Sequence, residues 1–463
     1  MTARPRTLFA AQALLPSGWA RDVLLVWDAP GRLTEVTAGA ICRPGTPRAR
    51  GPLLPGIPNL HSHAFQRAFG GLTEYRGAAQ DSFWSWRTLM YQFAAQLGPA
   101  QLEAIATGLY VEMLEAGVTS VCEFHYLHHD PHGHAYADPA EMSLSLLRAA
   151  QRTGIGMTLL PVLYQNSGFG GSAPTAGQNR FIHSTEAMLR LLERLRPACD
   201  AQSARLGLAP HSLRAVTPES LREVLTGLKA LDASAPIHIH IAEQTAEVDA
   251  CVAWSGQRPV AWLLDHAPVD TRWCLVHATH MDAHEYQRAA ASGAVAGLCP
   301  TTEANLGDGI FEFKTWQNQQ GAWGIGSDSH IAVNPAEDLM LLEYSQRLSL
   351  RQRNVAANER QPDVAQALWQ GAVAGGAQAA ARPVAGLAVG QQADFIVLDA
   401  QHPALAGLSP DQMLASHVFA SSRQSAVAQV CSGGQWVVQH GRHALHDEAM
   451  AGLVQARRDL LQA

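Results

Sequence analysis

The chain has 463 residues, enough for one large domain with a smaller companion. Hydrophobic residues make up 47% and charged ones 16%, a balance that excludes a disordered chain. A net charge of −7 without any basic run excludes nucleic acid as a partner, and no stretch is apolar for long enough to span a bilayer.

Residues 1–54 carry short alternating runs, Asp22–Trp27 and Arg32–Val36, divided by Asp-Ala-Pro-Gly. That is hairpin chemistry and predicts a small β unit. The first ten residues lack the sustained apolar core of a signal peptide. Seven scattered cysteines with no Cys-x-x-Cys predict reduced thiols in a cytoplasmic protein.

From Leu53 to about Arg382 short apolar runs alternate with amphipathic stretches. The runs are 53–63, 118–126, 156–164, 206–211, 236–243, 273–277, 294–300 and 322–328. Helix-like segments between them include 99–116, 138–152, 185–195, 218–231, 282–292 and 335–348. Eight strands alternating with helices predict an α/β fold, a (β/α)8 barrel of the TIM type. Polar residues gather at the C-terminal ends of these runs, where barrel enzymes keep their active sites: His61, His63, His125, Tyr126, His211, His240, Glu243, His277 and Asp328. Two longer insertions, 76–85 and 165–180, follow the first and third runs, and the second is Gly/Ser-rich enough either to close over a site or to remain a surface loop.

After Arg382 the β signature returns in 385–399 and in 429–438, the latter broken by a Gly-Gly turn. Neither end is large enough to bury a core alone, so both are expected to build one small β-sandwich. The expected division is 1–54 and 381–463 for the sandwich, with a final helix over 447–461, and 55–380 for the barrel.

The chemistry starts at His61-Ser-His63. In a strand, residues i and i+2 share a face, so both imidazoles can reach one ion. His238 and His240 also share a face; His240 is preferred because it stands nearer the strand end and three residues before Glu243, which leaves His238 as a packed interior group. Asp328 closes the eighth run. Three imidazoles and a carboxylate, His61, His63, His240 and Asp328, suit Zn²⁺ or another borderline divalent ion, with an open position for a catalytic water. Glu243 is placed to shuttle protons or, alternatively, to steady a ligand through a hydrogen bond. His277 is placed to polarise the electrophile or to steady the attacking hydroxide. His280 is a weaker candidate, and His125, His128, His129, His132 and His134 are expected in a solvated loop, with a second metal site as the alternative.

His61-x-His63, His240-Ile-Ala-Glu243, His277 and Ser327-Asp328, together with the 385–399 signature, resemble the amidohydrolase superfamily over almost the whole chain. Many members hold two metals bridged by a carboxylated lysine from a barrel strand. The two lysines here, Lys229 and Lys314, fall outside the predicted strands, so the resemblance implies one divalent metal ion, as in the deaminase branch. Within that branch Pro58–Ala68, Trp84-Ser-Trp-Arg87, Glu123–His128, Pro210–Val216 and Cys299–Asp308 resemble the formimidoylglutamate deiminase family. That resemblance implies substrate contacts from Gln66, Arg87, Tyr126, His211 and Arg214, a small dicarboxylate substrate of histidine degradation, a homodimer, and catalysis by Glu243, His277 and Asp328. Two arginines suit a dicarboxylate through bidentate, charge-assisted bonds. Competing readings are a deaminase of a purine or pyrimidine ring and a metal-binding scaffold without turnover.

Overall fold

The computed structural model describes residues 6–75, 83–421 and 425–462. Its centre is a ring of parallel strands. Ile57–Ser62, Val118–His125, Gly156–Leu163 and the broken fourth strand, Arg205–Leu206 with Ala209–Pro210, form one arc. Ile237–Ile241, Trp273–His277, Val295–Leu298 and Trp323–Ile325 form the other. Two isolated parallel bridges, Leu208 to Ile237 and Ser62 to Asp328, close the arcs into a barrel. The strands are buried along nearly their whole length, which is why they read as continuous apolar runs and not as alternations.

The helices between them follow from local sequence. Pro218–Leu231 is representative: Thr217 accepts the Ser220 amide at its N-cap, Pro218 opens the first turn, and Leu221, Val224, Leu225 and Leu228 make the buried stripe. Glu141–Thr153 stops at Gly154, which takes φ 79° where a side chain would be strained.

One long helix, Val364–Ala380, has no polar face for periodicity to mark, because it is buried nearly throughout. It crosses the N-terminal end of the barrel. A Cβ on Gly375 would lie 1.8 Å from the Trp323 carbonyl oxygen, so only glycine lets the helix approach this strand. Its last turn accepts hydrogen bonds from Thr158 and His238, the latter at 2.8 Å to Ala379 O. His238 is thus a packed interior group, as the sequence suggested.

Both chain ends share one eight-stranded sheet in the order Arg442–His443, Gln435–Gln439, Val427–Ser432, Phe395–Leu398, Leu53–Pro55, Arg6–Leu15, Gly18–Trp27, Leu33–Thr37. A bridge from Arg32 to Gln392 rolls it onto itself around Leu25, Trp27, Phe395 and Val397. The hairpins after Trp27 and at Gly433-Gly434 form as expected. The ten-residue strand Arg6–Leu15 was not anticipated.

The run 53–63 is two strands, not one. Leu53–Pro55 pairs inside the terminal sheet and Ile57–Ser62 opens the barrel. The break is at Gly56, where a Cβ would meet Thr119 at 2.3 Å. Hydropathy cannot show the change of sheet because both halves are fully buried. The 76–82 part of the first insertion lies outside the described residues, and nothing is described of the side chains of 83–85. The second insertion is folded: Phe169 stacks on Trp254, and Gln178 donates to Tyr164 Oη at 2.8 Å and to Tyr91 Oη at 3.3 Å.

Candidate metal centre and active site

Strands one and eight meet at the C-terminal face through a reciprocal pair of backbone bonds, Asp328 N to His61 O at 3.0 Å and His63 N to Asp328 O at 3.2 Å. This sets Asp328 opposite the two histidines. His61 Nε2 stands 3.1 Å from His63 Nε2, 3.0 Å from His240 Nε2 and 3.4 Å from Asp328 Oδ1; His63 Nε2 is 3.3 Å from the same oxygen. All four side chains are buried.

Hydrogen bonds fix which nitrogens point inward. His63 Nδ1 donates to Phe124 O at 2.9 Å and His240 Nδ1 to His211 O at 3.2 Å, so both Nε2 atoms turn bare lone pairs toward the centre. His61 cannot relieve this by charging, because burial pulls it down to about 3. Facing lone pairs at these separations are repulsive unless a cation, or a proton on His61 Nε2, sits among them. Metal–nitrogen bonds of about 2.1 Å place ligand atoms roughly 3.4 Å apart in a tetrahedron, close to the separations found. The donor set therefore fits a single divalent metal ion. A second trio, His277, Cys299 and Asp328, also lies within 4.8 Å. Burial holds the Cys299 thiol well above its usual range, and it packs with Leu60, Cys274 and Val276, so it offers a neutral, poor ligand.

Beside the four donors stand Glu243 and His277. His277 Nε2 lies 3.8 Å from Glu243 Oε1 and 3.8 Å from Asp328 Oδ2, while its Nδ1 bonds Glu303 Oε1 at 3.2 Å. Burial opposes a charge on this imidazole, but Glu243, the bond to Glu303, and Asp328 outweigh it and push it up to about 10. Burial raises the Glu243 carboxyl, against the pull of His277 and Arg214.

The backbone here is strained. Ala242, His277, Ala278, Asp328 and His330 all have positive φ, from 48° to 66°, at the ends of strands five, six and eight. Non-glycine residues in this region cost on the order of 1–3 kcal/mol each and concentrate at functional sites. No sequence signal announces them.

A cavity of about 580 Å³ opens from the donors toward solvent. It is lined by His63, His240, Glu243, His277 and Asp328 and also by Gln66, Arg87, Tyr126, His211 and Arg214. Of the metal, catalytic and substrate-contact residues selected from the sequence, all but His61 line it. Gln66 Nε2 donates to Tyr126 Oη at 2.9 Å, which leaves the buried Gln66 Oε1 without a hydrogen-bond partner. Arg87 lies over the Tyr91 ring at 5.5 Å. Arg214 keeps a buried Nε without a hydrogen-bond partner.

Sequence reasoning passed over several contributors. Glu303 orients His277 and also caps the Cys299 amide at 2.9 Å; its position in the first turn after Cys299-Pro300 was the available signal. Glu247 accepts the amides of Ala242 at 3.2 Å and Glu243 at 3.3 Å, holding the strained end of strand five. Trp86, Met90, Tyr91, Tyr164 and Phe181 supply an aromatic and apolar wall that only the tertiary fold assembles.

The histidine cluster needs correction. His132 and His134 are exposed, but His125 and His128 are buried. The segment around Arg180 folds over them, with Arg180 donating to His129 O and Leu97 O. Among the described residues their donor atoms join no metal-sized group. His280 Nε2 is spent on Asp308 O at 2.7 Å, away from the centre.

The amidohydrolase family profile matches residues 53–437, and the profile of the formimidoylglutamate deiminase HutF N-terminal domain matches residues 5–49. A formimidoylglutamate deiminase of Pseudomonas aeruginosa is 52% identical over 454 residues, 98% of this chain and 99% of its own. An 8-oxoguanine deaminase of the same species is 28% identical over 98% of this chain and 96% of its own. The crystal structure of an amidohydrolase from Brucella melitensis matches with a TM-score of 0.93 at 47% identity, covering 98% of this chain and all of the other. An adenosine deaminase from Xanthomonas campestris with bound zinc shares the fold at 20% identity, with a TM-score of 0.81 over 99% of this chain and 100% of its own.

Proposed function

Because the chain belongs to the amidohydrolase family, we infer that its cavity is the site of a metal-dependent hydrolysis of a carbon–nitrogen bond. The reaction is the deimination of N-formimino-L-glutamate to N-formyl-L-glutamate and ammonia, a step of histidine degradation. The observation that carries this is the union, in one cavity, of a metal-donor set with two arginines. The substrate has the matching layout, a planar amidine-like head and two carboxylates.

The residue roles are our proposal. Arg87 and Arg214 hold the carboxylates through charge-assisted bonds. Gln66, with its free acceptor, and Tyr126 serve as neutral hydrogen-bond partners, and His211 borders the head group. His61, His63, His240 and Asp328 hold one ion, taken to be Zn²⁺, which supplies Lewis acidity and lowers the pKa of a water toward neutrality when bound. Asp328 and Glu243 take the proton of the attacking water as its oxygen bonds to the formimino carbon. His277, charged and steadied by Glu303, stabilises the tetrahedral species. Glu243 then passes its proton to the terminal nitrogen, Asp328 takes the second proton from the added hydroxyl as the formyl carbonyl forms, and with that proton also delivered to the nitrogen the carbon–nitrogen bond breaks and ammonia leaves. The reading extends to a homodimer working in the cytoplasm, where the seven unpaired cysteines stay reduced.

Purified, metal-loaded protein is expected to release ammonia from N-formimino-L-glutamate. Release from 8-oxoguanine with none from the formimino compound overturns the assignment.

A further inference from the structure

Behind the metal donors, away from the substrate cavity, buried polar side chains are joined in an unbroken series. Asn59 Nδ2 donates to Ser327 Oγ at 2.6 Å; because Ser62 gives its one hydroxyl hydrogen to Glu123 and can only accept from His330 Nε2, His330 Nδ1 is the acceptor of the Ser327 hydroxyl at 2.9 Å. The His330 proton is thus on Nε2, which donates to Ser62 Oγ at 3.2 Å. Ser62 in turn donates to Glu123 Oε2 at 2.6 Å, and Glu123 Oε1 accepts the Ala64 amide at 2.7 Å. Every bond points the same way, toward the Glu123 carboxylate. None of these residues is more than 3% exposed.

Buried polar series are costly unless fully satisfied, and an apolar filling of the same volume would be at least as stable. The path explains their presence. Ser62 stands between His61 and His63, and Ala64 follows them. Ser327 and His330 bracket Asp328, and both Asp328 and His330 have left-handed backbones that need holding.

We propose that Ser62, Glu123 and His330 are positioning residues of the metal centre, a one-way relay that keeps the strand-one imidazoles and Asp328 at ligating separation. The proposal rests on the reading of His61, His63, His240 and Asp328 as metal ligands.

Ser62→Ala cuts the relay at its middle by removing one oxygen. The measurement is Zn²⁺ affinity by competition with a chromogenic chelator, on protein whose fold is checked by circular dichroism. The dissociation constant is expected to rise about 10- to 100-fold, the usual effect of losing a group that orients a ligand. Glu123→Gln is expected to do the same, and decides the matter if Ser62→Ala does not fold. Tyr110→Phe removes another buried bond to Glu123, 3.1 Å long, that leads to no ligand. It is expected to lower the thermal midpoint and leave affinity within twofold. Wild-type affinity in Ser62→Ala, or equal losses in all three variants, overturns the relay. His240→Ala separates the two levels: if it too keeps wild-type affinity, the ligand reading falls and the relay with it; if it loses the ion while Ser62→Ala keeps it, only the relay falls.

Discussion

Glu243 and His277 face each other across 3.8 Å, one carboxylate and one imidazole buried together beside the metal donors. Glu243 is not one of those four donors, so its proton chemistry is separable from ion binding. Glu243→Gln keeps the shape and the amide bonds to Glu247 but cannot carry a proton. It is expected to lower kcat by about 10²- to 10⁴-fold while metal content stays unchanged, measured by steady-state ammonia release and metal analysis. A parallel loss of the ion would make Glu243 a ligand instead. Most of the residues that matter at this scale were legible in the sequence, because strand ends are marked by where apolar runs stop. Glu303 and Glu247 were not, because their work is to orient other residues.

Among the elements, the helix Val364–Ala380 best shows how packing overrides pattern. Its Ala/Gly composition has no amphipathic period, yet it covers the N-terminal end of the barrel and takes strand eight against its glycines. Gly375→Ala drives a methyl into the Trp323 backbone and is expected to destabilise by about 3 kcal/mol, the upper end for overpacking. Gly452 is the control. It lies in the helix His446–Gln462, where a Cβ would meet only Ala104 at an ordinary 3.8 Å. Gly452→Ala is expected to stabilise by about 0.5–1 kcal/mol, since alanine loses less entropy in a helix. Denaturant melts of the two variants check both signs.

At the scale of the whole molecule, burial sets the pH response of stability. Burial holds His125 at about 3 and His238 and His417 at about 4. Unfolded histidines take up protons below about 6.5, so this contribution is complete above that value and is lost as pH falls. Asp338 runs the other way: burial outweighs its bonds from Thr301 and pushes it up to about 8. The folded state then holds a proton that the unfolded state has released, so stability is lost as pH rises from about 4 to 8. Between about 6.5 and 8 these histidines are silent, and Asp338 lowers stability by at most about 1.4 kcal/mol per pH unit. Thermal melts across this window are expected to decline, and Asp338→Asn is expected to remove part of the decline. A variant that declines like the wild type would show that Asp338 is not the group responsible.

By itself the sequence pointed to the barrel, to the hairpins at both ends and to the strand ends that carry His61, His63, His240 and Asp328. Each of these is marked by local order: where apolar runs stop, turn residues, and for His61 and His63 a spacing of i and i+2. The tertiary structure alone decided that the first apolar run changes sheet at Gly56, and that His125 and His128 are covered. It alone brought residues 59, 62, 64, 123, 327 and 330 into one hydrogen-bonded path. Those outcomes depend on contacts between residues far apart in the chain, and a burial pattern read along one strand carries no information about which neighbour does the burying.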